Sequence, residues 1–176
     1  MSMSLLSPGR DIPNDVNVVI EIAAHSNQVK YEVDKDSGLL AVDRFMPTAM
    51  HYPCDYGYIP NTLAEDGDPV DMLVMTPFAI QPGCLIRTRV IGMLNMIDES
   101  GRDCKLLALP TVSSCPHLAH IQSLQDVPPV MLDSIVHFFE HYKDLEPNKW
   151  VKLDGWVDQA AAADVIQAAI TAYQAK

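Results

Sequence analysis

Short strands come first along this chain and helices last. Residues 16–22 form a β-rich run, and residues 29–35 alternate apolar with charged side chains, the period-two pattern of a strand with one wet face. Asp36, Ser37 and Gly38 give a turn signal, after which residues 39–46 read as the returning strand. Residues 69–76, 84–97 and 103–109 are further predicted strands, with a turn at 98–102 between the last two. The period then changes. Over 130–145, Leu132, Ile135, Val136, Phe139 and Tyr142 recur at three- and four-residue steps, which predicts an amphipathic helix stopped by Pro147 and Asn148. A short strand at 150–153 precedes a second helix at 159–175, with Ile166, Ala169, Ile170 and Tyr173 on one stripe. Strands followed by helices predict a closed or nearly closed β-barrel with helices packed outside.

The length of 176 residues suits one domain spanning the chain, and 48% hydrophobic with 20% charged residues is ordinary for a globular protein. No apolar run approaches the roughly 18 residues that cross a bilayer, and residues 1–15 lack the regions of a signal peptide, so a cytoplasmic protein without a membrane partner is expected. A net charge of −11 argues against a nucleic-acid partner, as does an aromatic content of only 7% against an OB-type binder of single strands. Asp outnumbers Glu by 17 to 6, which favours turns and hard-cation sites. Cys54, Cys84, Cys104 and Cys115 form no C-x-x-C pair and are expected as reduced, buried or partly buried thiols.

The sharpest local feature is D-G-D-P-V-D-M at 66–72, three carboxylates within six residues. Like charges so close raise one another's pKa unless a cation sits among them, so the loop is either a solvated turn or a metal site. An EF-hand is excluded, because its fifth, sixth and twelfth positions would be Val70, Asp71 and Pro77. Asp98 and Asp103 bracket a second acidic turn, and a strand beginning at Asp103 would aim Asp103 and Lys105 to one face. Lys30 and Glu32 share a face of their strand in the same way. Each pair alone reads as a solvated strand face. Together they have the composition of a site in which Asp holds cations and basic groups hold phosphate oxygens. The run H-F-F-E-H at 137–141 fits an inverted zinc-peptidase motif, but only 35 residues follow His141 to supply the further acidic ligand. Cys115, His117 and His120 read as a surface loop rather than a metal site.

With V-V-I-E-I (18–22), V-K-Y-E-V-D-K (29–35), V-D-R-F-M (42–46), Y-P-C-D-Y-G-Y-I-P (52–60), H-F-F-E-H-Y-K-D-L (137–145) and W-V-K-L-D-G-W (150–156) placed around the acidic loop, the chain resembles the bacterial soluble inorganic pyrophosphatases of family I. The resemblance covers essentially the whole length. It implies a mainly β fold with helices, a five-stranded OB-like barrel flanked by two C-terminal helices. It also implies hydrolysis of pyrophosphate to two phosphates by a Mg²⁺-bound hydroxide, with several Mg²⁺ ions, in a homohexamer built from two trimers. Carried over, Asp66, Asp71, Asp98 and Asp103 would ligate metal directly, and Glu21 and Glu32 mainly through water. Asp68 would be the general base. Lys30, Arg44, Tyr56, Tyr142 and Lys143 would contact phosphate oxygens, with Lys105 and Tyr52 completing the pocket. The chain departs from many relatives at Asp55, where they carry Asn, and at Ala23, where Pro is frequent; changed local charge or loop stiffness is expected there.

Overall fold

Five strands close into a ring in the computed structural model, which describes residues 6–34 and 37–176. Lys35 and Asp36, expected as a strand end and a turn, lie outside the described residues. β1 is Gly9–Asp11, β2 Asp15–Ile22, β3 Val29–Val33, β4 Leu40–Phe45, β5 Asp55–Tyr58, β6 Asp71–Val74, β7 Leu85–Asp98, β8 Gly101–Arg102, β9 Lys105–Pro110 and β10 Val151–Asp158. The helices α1 and α2 are Pro129–His141 and Gln159–Gln174. β2 pairs antiparallel with β5 (Val19 opposite Tyr58), and β5 with β6 (Tyr56 opposite Leu73). β6 runs parallel to β9, β9 antiparallel to β7, and β7 returns to β2 with Val16 opposite Thr88. This is the OB-like barrel. β1 and β10 extend it along β2 and β7, while β3 and β4 form a separate two-stranded sheet.

Both faces of the barrel wall are buried, which is why β9 is apolar almost throughout rather than alternating. Met72, Val74, Leu106 and Ala108 face a core that includes Ala162 and Ile166 of α2. Leu73, Leu107 and Leu109 face the other, which includes Ile135, Phe138 and Phe139 of α1. Phe138 was not on the predicted stripe, and Tyr173, which was, is 40% exposed in the last turn of α2. The four cysteines are free, with Cys54 and Cys115 buried but Cys84 exposed, against the expectation that all were covered. His117 and His120 are exposed on the loop expected of them.

Asp55 is fully buried. Its Oδ1 accepts the backbone N–H of Ala24 and of Ile80, both at 2.9 Å, and its Oδ2 lies 2.5 Å from the Thr76 hydroxyl. That hydroxyl is also 2.9 Å from the Phe78 carbonyl, so one hydrogen serves two acceptors. Asn would bring its own hydrogen to Thr76 and release the hydroxyl for Phe78. Asp55→Asn is therefore expected to stabilise the fold by about 1 kcal/mol, raising the thermal midpoint by roughly 2–4 °C. A midpoint at or below wild type in scanning calorimetry would contradict this.

Candidate active site

A cavity of about 560 Å³ opens where the β3–β4 hairpin, the 60–69 loop, the β7–β8 turn and the turn after α1 meet. All fourteen residues singled out from the sequence line it.

The 60–69 loop is shaped by its own backbone. Thr62 bridges it, donating to the Ile59 carbonyl at 2.7 Å and accepting from Val70 N–H at 2.9 Å. Gly67 sits at φ 91°, where a side chain would be strained, and Asp68 N–H donates to Asp66 Oδ1 at 3.0 Å. Leu63 N–H donates to the Ala169 carbonyl at 3.0 Å, which pins the loop to α2.

Since β6 and β9 run parallel, Asp71 and Lys105 stand at the first residues of neighbouring strands. Lys105, 3% exposed, donates through Nζ to Asp71 and, at 2.6 Å, to Asp103. Burial pulls this ammonium down, but the two carboxylates hold it well above its ordinary pKa, so it stays cationic. Asp103 was expected to begin a strand. It lies just before β9 but keeps the same register along β7, its N–H donating to the Met96 carbonyl at 3.0 Å, so strand alternation does bring it to the face of Lys105.

At the end of β7, Asp98 accepts from Lys143 Nζ at 2.7 Å and from Ser100 N–H at 2.7 Å. α1 stops at His141, four residues short of the prediction, and the following turn carries Tyr142 and Lys143 inward, both buried. Glu99 and Lys149 were not singled out from the sequence, yet both line the cavity, with Lys149 Nζ 2.6 Å from Glu99 Oε1. Burial pushes the Glu99 carboxyl up, but the hydrogen bond from Lys149, with Lys143 nearby, brings it down to about 2. Only their adjacency to Asp98 and to the 150–156 block could have pointed to them.

The hairpin presents Lys30 opposite Arg44. Lys30 pairs with Glu32 and lies 3.4 Å from Asp43, which also accepts from Arg44 Nη1 at 2.7 Å. Tyr52, Tyr56 and Tyr142 form one aromatic group around Phe138, with ring centroids 4.6–5.0 Å apart for Tyr52–Phe138, Tyr52–Tyr56 and Phe138–Tyr142. Burial raises all three phenols, which therefore remain neutral donors. Gly57 between Tyr56 and Tyr58 admits no side chain, because a Cβ there would lie 1.9 Å from the Val19 carbonyl oxygen.

Nine carboxylates face the cavity against six lysine and arginine side chains. Among the described residues no three carboxylate, imidazole or thiol groups already converge on one point, because Lys105 and Lys143 stand between the acids. The surplus of short oxygen donors nevertheless fits a hard divalent cation. Glu21 shows the strain of that surplus. It is 6% exposed, its Oε1 accepts from Val33 N–H at 2.7 Å, and burial, with Asp71 and Glu32 adding repulsion, pushes its carboxyl from the ordinary 4.5 up to about 8. Between those values the folded chain keeps a proton that the unfolded chain has released. The stability this gives is full below pH 4.5 and is lost as pH rises through about 8. In EDTA, Glu21→Gln should remove a pH-dependent loss on the order of 3 kcal/mol between pH 5 and 8.5. Urea unfolding at the two pH values checks it, and equal losses in variant and wild type would contradict it.

A closed OB-like barrel with two packed helices, carrying an acid-rich cavity with lysine, arginine and tyrosine donors on its rim, defines the class. Residues 18–174 match the family described as inorganic pyrophosphatase. The inorganic pyrophosphatase of Gluconobacter oxydans is 58% identical over 172 residues, 98% of this chain and 99% of that protein. That of Ralstonia nicotianae is 59% identical over 156 residues, 89% of each. The solved inorganic pyrophosphatase of Coxiella burnetii superposes with a TM-score of 0.93 at 54% identity, covering 96% of this chain and 99% of that one. The chain belongs to the inorganic pyrophosphatase family, in its bacterial soluble family I branch.

Proposed function

We propose that this cavity hydrolyses inorganic pyrophosphate to two phosphates, with Mg²⁺ as cofactor and Asp68 as general base. The observation that carries the reading is the meeting of all fourteen residues, from seven separate stretches of chain, around one cavity. Asp66, Asp71, Asp98 and Asp103 would hold the ions directly, and Glu21 and Glu32 through water. Bound there, Mg²⁺ offsets the charge of carboxylates and substrate and brings the pKa of a coordinated water toward neutrality. Without such cations a substrate of about three negative charges would meet a net-acidic cavity and be repelled. Asp68 accepts the proton as the attacking oxygen forms its bond to phosphorus. Arg44 suits two phosphate oxygens at once, while Lys30 and Lys143 act as point charges that stabilise the departing phosphate. Tyr56 and Tyr142 donate hydrogen bonds without adding charge. Lys105 keeps Asp71 and Asp103 apart and oriented.

Phosphate release from pyrophosphate, measured with Mg²⁺ and with EDTA, tests the reading. Fast release that needs Mg²⁺ is expected, and none from folded protein with Mg²⁺ would overturn it. The same reading includes a cytoplasmic location and a hexamer of two trimers whose contact is the exposed face of α1 bearing His137 and His141, with rings 4.8 Å apart. Protonating them should loosen that contact. Sedimentation from pH 8 to pH 5 checks it, and an unchanged hexamer throughout would count against it. Among the described residues no helix is long and apolar enough to cross a membrane.

A further inference from the structure

We propose that Glu146 is a positioning residue that sets the Arg44 guanidinium for phosphate from outside the cavity; the inference rests on the pyrophosphatase reading above. Arg44 lines the cavity and Glu146 does not. They are 102 residues apart in sequence, yet Glu146 Oε1 accepts from Arg44 Nη2 at 3.4 Å, and Glu146 Oε2 is 3.2 Å from Nε. The Nε contact lacks the alignment of a hydrogen bond, so it holds by charge. The Glu146 side chain is only 10% exposed, and its backbone is fixed in the turn that presents Lys143. Glu146 N–H donates to the Lys143 carbonyl at 2.9 Å, and its own carbonyl accepts from Lys149 N–H at 3.3 Å.

The consequence lies in the geometry of the guanidinium. Each terminal nitrogen carries two hydrogens. Nη1 gives one to Asp43 at 2.7 Å and Nη2 gives one to Glu146, so a hydrogen on each remains for two oxygens of one phosphate. The hairpin that carries Arg44 is not part of the closed ring. Without Glu146, a long, rotamer-rich side chain on that separate sheet would have to be ordered by the substrate itself, and binding would weaken. Because Arg44 grips phosphate alike before and during reaction, the loss should fall on KM rather than kcat.

Titrating inorganic phosphate calorimetrically into the Mg²⁺-loaded protein gives a readout independent of turnover. Glu146→Ala should weaken phosphate binding about tenfold, and Glu146→Gln, which keeps the shape and one acceptor, about threefold. KM for pyrophosphate should rise in parallel, with kcat within about threefold of wild type. In an Arg44→Lys background, which has no fork to orient, Glu146→Ala should add no further loss. Unchanged or tighter phosphate binding in Glu146→Ala, or an equal loss in the Arg44→Lys background, would overturn the proposal. Wild type that binds phosphate through this pair but does not hydrolyse pyrophosphate would overturn the functional reading alone. Wild type that binds no phosphate would overturn both.

Discussion

Replacing Asp68 by Asn should slow phosphate release by about 10²–10⁴-fold, the usual contribution of a general base. The side chain keeps its size but can no longer accept the proton of the attacking water. The loop around it should survive. Its form depends on Thr62, on Gly67 and on backbone atoms of Asp68, whose carbonyl accepts from Ala64 N–H at 2.7 Å. The thermal midpoint should therefore stay close to wild type while kcat falls and KM changes little. Activity within a few-fold of wild type would remove Asp68 from the role of base.

Lys105→Met should have the largest effect on stability. The lysine is buried between Asp71 and Asp103, so removing its charge leaves two carboxylates facing each other with nothing to offset them. Breaking a buried pair in this way costs about 3–5 kcal/mol, and Met fills a similar volume, so little of that comes from a cavity. In EDTA the urea midpoint should fall accordingly. Added Mg²⁺ should recover much of the loss, because a divalent ion supplies the missing charge and stabilises whichever state binds it. A metal-free variant as stable as wild type would show that the lysine does not neutralise these acids.

Elements that keep one period were legible in the sequence, as β2, β7, β9 and α2 show. β5 was not. It is four residues long with Gly57 inside, and the reason for that glycine, the approach of the Val19 carbonyl, belongs to the neighbouring strand. β10 runs past Leu153 because a register shift absorbs Asp154 and Gly155, which by themselves read as a turn. The loop at 66–72 could be recognised as chemistry because its three carboxylates are local. Glu99, Glu146 and Lys149 could not, since their importance comes from partners distant in the chain, with Lys143 reaching Glu99 across 44 positions. The alternation rule did place Asp103 and Lys105 on one face, because the stretch keeps a single register along β7.

The closure of the ring also bears on how the protein acquires its activity. The Val16 carbonyl accepts from the Thr88 hydroxyl across 72 positions, and Arg44 finds Glu146 across 102. Such a high contact order predicts folding in milliseconds to seconds rather than microseconds. It also means that no early fragment owns the whole site. A growing chain that has not yet released α1 and the turn behind it has the acidic loop but neither Tyr142 nor Lys143. Competence is then gained only when that turn closes on the rest of the cavity.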